Sequence, residues 1–166
     1  MSDQGKTYAA FIEAELKAER DRRTAFDARG VALVTTSGSL VTLLTAVVAF
    51  FRVGTDFEFP RSATGPLVFA LVALTAAAVA GILASWNRLY EVPKPATLAK
   101  LLNDRWAVDS EIAARNFVGT MQVLTIGGLR KGNNWKATCL SLGLVAQVVA
   151  LLALSVVVYL MLRAYA

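Results

Sequence analysis

Five basic residues stand beside long uncharged runs or on the segment leading into one: Arg29, Arg88, Arg130, Lys131 and Lys136. A cation there can bind an anion, a lipid phosphate above all, and is worth ~1 kcal/mol near an anionic membrane surface. Such cations either contact an anionic lipid or ligand or merely fix the direction in which the chain threads. A second group could act on other helices. Gly38 and Thr42 lie in the first run, Ala77 and Gly81 in the second and Gln147 in the third. In apolar surroundings small residues let backbones approach, and polar side chains bond across the interface at ~0.6 kcal/mol on average. Each such stripe is either a helix-packing or oligomer contact, or the lining of a water-filled path in an oligomer. Gln147 stands out, because a central amide in lipid needs a partner on a neighbouring helix or on another copy.

Groups that make and break covalent bonds are scarce. The chain has no histidine, so the commonest acid–base group and metal ligand is missing. Its one cysteine, Cys139, lies inside the third run and cannot pair within the chain. There is no Gly-x-Ser-x-Gly, no Walker A sequence, no cysteine pair and no carboxylate pair beside a run. The expectation is a protein without catalytic site, metal or cofactor.

The elements that must position these residues are set by the runs themselves. Residues 31–51, 62–87 and 137–162 carry no charge, and the shortest holds 21 residues. At ~1.5 Å per residue, 21 residues reach ~31 Å, about one hydrocarbon core. The apolar fraction of 56% and mean hydropathy of +0.54 exceed those of ordinary soluble domains. The reading is an all-α membrane protein with three transmembrane helices and a cytoplasmic helical extension, in a single domain. The first run begins after about thirty charge-rich residues and is too long for a signal peptide, so it stays as an anchor. With no ionisable residue inside any run, proton relays, ion-coupled carriers and voltage sensors are disfavoured, and three helices are too few for an inverted-repeat carrier.

Threading follows the positive-inside bias. Fourteen of the seventeen basic residues fall in residues 1–30 and 88–136. That assigns 1–30 to a cytoplasmic helix, 31–51, 66–86 and 137–162 to the spans, 52–65 to an outer loop, 87–136 to a cytoplasmic helical loop and 163–166 to an outer tail. Trp86 and Trp135 then close the inner ends of the second and third spans, while Phe50, Phe51 and Tyr159 mark outer ends. The expected location is a cell membrane, with lipid as the first partner and a homo-oligomer as the second.

Residues 6–29 read as a helix running into the first span, with Glu13–Lys17 and Glu19–Arg23 pairs in the favourable order. Its stripe of Tyr8, Phe11, Ile12 and Leu16 needs a partner. After Pro93 and Pro95, Thr97–Trp106 reads as a short helix. Asp109 or Ser110 then caps another, whose Ala113, Phe117, Met121 and Leu124 share a face. Residues 116–129 are uncharged but too short to cross. Gly127-Gly128 and Gly132-Asn133-Asn134 are expected to mark a hinge or break before the third span.

Two stretches also carry a resemblance. Asp27-Ala28-Arg29-Gly30 leads into the first span, and Arg130-Lys131-Gly132-Asn133-Asn134-Trp135-Lys136 into the last. The chain resembles small bacterial membrane effectors of the Pycsar transmembrane type and the related SLATT proteins. Those families place an Asp-x-Lys-like motif before the first span and a Lys-containing turn before the last. Here Arg29 stands in place of the Lys and Gly30 in place of a more usual Ala. The resemblance implies an inner-membrane effector of antiphage defence, triggered by a cyclic nucleotide or a sensor partner and assembling to damage the membrane, with no nucleic-acid polymer as partner. The reading from a different class is a structural or scaffolding membrane protein that packs against a partner complex.

Overall fold

The computed structural model describes residues 3–54, 59–86, 94–103 and 108–165. They form four helices: α1 (Asp3–Gly54), α2 (Arg61–Ser85), α3 (Pro95–Asn103) and α4 (Glu111–Tyr165). No strand occurs among the described residues. Helices α1, α2 and α4 each hold a stretch long and apolar enough to cross a membrane.

Local sequence accounts for the starts and the lengths. No proline interrupts α1, so its charged first half continues into its apolar second half as one helix of 52 residues. Pro95 opens α3, where a missing N–H costs nothing, and the Lys94 carbonyl accepts from the Thr97 and Leu98 amides at 2.8 and 3.2 Å. The described extent of this helix is Pro95–Asn103; the expected end at Trp106 lies outside the described residues. At the start of α4 the Ser110 hydroxyl accepts from the Ala113 amide at 3.3 Å, and Glu111 pairs with Arg115 at 2.7 Å. The expected break does not occur. Helix α4 runs unbroken through Gly127-Gly128 and Gly132-Asn133-Asn134, and no described glycine has positive φ. Glycine in a helix interior costs ~1 kcal/mol against alanine, and here tertiary contacts at Asn133 outweigh that weakness.

The chain divides into two compact units. The first comprises Met1–Ala25 and Asn87–Trp135, the second Phe26–Trp86 and Lys136–Ala166. In the first unit Leu16, Ile126 and Leu129 are buried together with Ile12 against them. Phe117 and Met121 line a groove with Leu98 and Leu101 of α3. Only part of the expected N-terminal stripe is covered, because Tyr8 and Phe11 remain 69% and 66% exposed.

In the second unit the core is Leu33, Ala77, Ala84, Cys139 and Leu140, with Phe26 and Ala146 packed on it. The contact pairs Asp27–Lys136 and Thr36–Gln147 advance together along the chain, so α1 and α4 are parallel there. Helix α2 runs antiparallel to α1: Gly30 meets Gly81 and Ser85, while Leu44 and Val48 lie by Leu67 and Leu71. Buried positions recur at alternating steps of three and four residues. On α2 they include Ala70, Leu74, Ala77, Gly81 and Ala84; on α4 of this unit, Lys136, Leu140, Gly143 and Ala150. That is the three-and-four spacing of a coiled-coil seam, made largely of small residues while large apolar ones such as Phe69, Val72, Leu142 and Leu152 point outward.

Candidate functional site

The polar residues gather where α1 meets α4. In the first unit Glu19 is the centre, only 8% exposed. Its carboxylate accepts from Arg130 Nε at 3.1 Å and from Asn133 Nδ2 at 2.8 Å, and the same amide donates to the Glu19 carbonyl at 2.9 Å. Arg130 reaches further, to Glu15 at 2.5 Å, and Arg22 donates to Asn134 Oδ1 at 3.4 Å. Asn133 is fully buried, and its Oδ1 has no partner among the described residues. Burying a carboxylate is costly unless it is paired and hydrogen-bonded, and Glu19 has both kinds of partner. The expected Glu13–Lys17 pair does not form, and both side chains are exposed.

In the second unit Lys136 is wholly buried and its ammonium is held by Asp27. One turn further, Gly30 and Gly81 bring α1 and α2 together. A Cβ on either would lie 2.8 Å from the carbonyl oxygen of the other, closer than any side chain tolerates, so glycine at position 30 is required by this packing. Gly143 is equally confined, by Leu33 and by Ala80. Deeper still, Gln147 Nε2 donates to Thr36 Oγ1 at 3.0 Å, and the Thr36 hydroxyl lies 2.9 Å from the Ala32 carbonyl. Ser37, 1% exposed, has no hydrogen-bond partner for its hydroxyl among the described residues.

The residues singled out by sequence therefore separate into distinct roles. Ala77 and Gly81 are buried helix-packing residues within the chain. Gly38 and Thr42 are not: both are exposed, a Cβ on Gly38 would touch nothing, and the Thr42 hydroxyl turns back to the Gly38 carbonyl at 3.0 Å. Gln147 finds its partner on α1 of the same chain. Among the cations, Lys136 is corrected from a lipid or ligand contact to a buried internal partner of Asp27, because no part of it reaches the surface. Arg130 is engaged by Glu15 and Glu19. Arg29 and Lys131 are exposed, and Arg88 lies outside the described residues. Sequence reading missed Glu15 and Ser37, and it gave Glu19 only a pair with Arg23 and Asn133 only a place in an expected hinge or break. The available signal was their place on the three-and-four spacing, where a polar residue among apolar ones fixes register.

Chemically this arrangement can hold two parallel helices at one register and present cations at its edge. Among the described residues no group of three His, Cys, Asp or Glu side chains is placed to hold a metal. Compared with known protein families, curated proteins and solved structures, the chain matches none.

Proposed function

We propose that this chain is a non-enzymatic, multi-pass protein of the bacterial inner membrane that assembles with copies of itself and compromises the membrane in nucleotide-triggered antiphage defence. The observation that carries this reading is the meeting of the two stretches on which the resemblance rests. Asp27 of the first holds Lys136 of the second, although 109 positions separate them. The membrane part of the reading is supported by the outward-facing aliphatic residues of α2 and α4, since a soluble protein rarely exposes so much contiguous apolar surface. The orientation, N-terminus in the cytoplasm and C-terminus outside, follows the distribution of basic residues. Assembly is supported by the exposed Gly38–Thr42 face, with both residues left uncovered by the described residues. In this scheme a cyclic nucleotide or a sensor partner acts on the cytoplasmic helices, and the oligomer supplies any pore, because three helices with uncharged walls do not make one.

The test is inducible expression with a membrane-potential dye. Depolarisation should accompany growth arrest, and a protein tolerated at high level with an unchanged potential, with and without a co-expressed nucleotide cyclase, overturns the effector reading. That outcome would favour a scaffold, for which the exposed Tyr8, Phe11 and Ile112 offer a surface to a partner complex.

A further inference from the structure

Between α1 and α4 of the second unit runs a groove of about 510 Å³, lined by Arg29, Leu33, Thr36, Leu140, Leu144 and Gln147 among others. Its two ends differ in chemistry. Arg29 stands at one end, exposed and without an ion-pair partner among the described residues. Leucines form the walls. The other end is closed by Gln147 reaching across to Thr36, seven residues or ~10 Å along α1 from Arg29. A cation followed by an apolar trough of that length fits an anionic headgroup followed by the upper part of an acyl chain. Resting on the membrane reading above, we propose that this groove binds one anionic phospholipid of the cytoplasmic leaflet, its phosphate on Arg29 and its chain against Leu33, Leu140 and Leu144.

Charge complementarity selects lipid over a helix of a second copy. Beyond position 27 on α1, throughout α2 and beyond position 111 on α4 there is no carboxylate, and Asp27 is already held by Lys136. Helices of another copy packed at this level would therefore leave Arg29 without an anion in a medium where an unpaired charge is expensive. On the membrane reading Arg29 stands two residues before the uncharged run that begins at position 31, which puts it at the level of the leaflet phosphates. The same reasoning separates Arg29 from the other cations: Lys136 and Arg130 are neutralised within the chain, and Lys131 does not line the groove.

Spin-labelled lipids test this in vesicles of phosphatidylcholine and phosphatidylglycerol containing the full-length protein. The motionally restricted component should favour the phosphatidylglycerol label by about fivefold, the ratio corresponding to one basic residue at the surface. Arg29→Gln should abolish that preference, Lys131→Gln should leave it, and Ser141→Leu, which fills the groove, should shrink the restricted component. Equal loss in Arg29→Gln and Lys131→Gln would mean diffuse attraction and overturn the site, as would a wild type without headgroup preference. Efficient disulfide dimers of Ser141→Cys in a Cys139→Ala background would give the groove to a second copy and likewise overturn it. Failure of the membrane reading looks different: the protein would be extracted by alkaline carbonate, and no lipid label would be restricted at all.

Discussion

A lysine with none of its surface exposed must be paired, and among the described residues the Lys136 ammonium is held by Asp27. Taking away one member of a buried pair leaves the other as an uncompensated charge, at ~3–5 kcal/mol, whereas replacing both by apolar groups is often neutral or better. Asp27 keeps about a third of its side chain in contact with solvent, which places the loss near the lower end of that range. Asp27→Leu and Lys136→Met are each expected to destabilise the detergent-purified protein by ~3 kcal/mol, and the double variant by much less than the sum. Thermal unfolding of the four proteins gives the coupling, and simple additivity would show that the pair contributes no interaction of its own. Glu19 has three side-chain and backbone links to Asn133 and Arg130. None of these pairings was legible in the sequence. The charges were visible, and their count on each side of the runs carries topology, but which acid meets which base depends on the register of two helices more than a hundred residues apart.

At the scale of helices, the close approach of α1 and α2 rests on two glycines whose missing side chains make room for backbone oxygens. Gly81→Ala and Gly30→Ala should each force the helices apart and lower the unfolding temperature. Gly38→Ala meets nothing within 4 Å and should be neutral or stabilising by up to ~1 kcal/mol through helix propensity. Comparable losses at all three positions would contradict this packing. Small-residue spacing in the second run pointed to the right helix face, since Ala77 and Gly81 are buried. The same argument applied to Gly38 and Thr42 fails for the fold, because threonine hydroxyls in α1 bond to carbonyls of their own helix at Thr35, Thr36, Thr42 and Thr45 and need no neighbour. Helix lengths were legible wherever proline or charge ended a run. The continuity of α4 was not, because glycine clusters read as breaks from propensity alone, and the buried Asn133 that stabilises the segment is held by a residue far away in sequence.

At the scale of the whole chain, the distribution of basic residues predicts which segments face the cytoplasm. Residues 1–30 and 88–136 hold fourteen of the seventeen basic residues, and moving a lysine or arginine through the bilayer centre costs ~2.5–3.5 kcal/mol even on the lowest scale. Threading in the opposite sense would carry both basic segments across, against the bias that sets orientation in most multi-pass proteins. Impermeant thiol labelling of intact cells can decide this. Cys139 is buried in the core of the second unit, so Cys139→Ala provides a background without removing a surface group. On the proposed orientation, Arg115→Cys on α4 should stay unlabelled until the cells are opened, while Glu58→Cys, in the segment that the charge bias assigns to the outside, should react at once. Labelling of position 115 in intact cells would invert the topology, and it would also remove the nucleotide trigger proposed above, because the helices meant to receive a cytoplasmic signal would then face the wrong compartment.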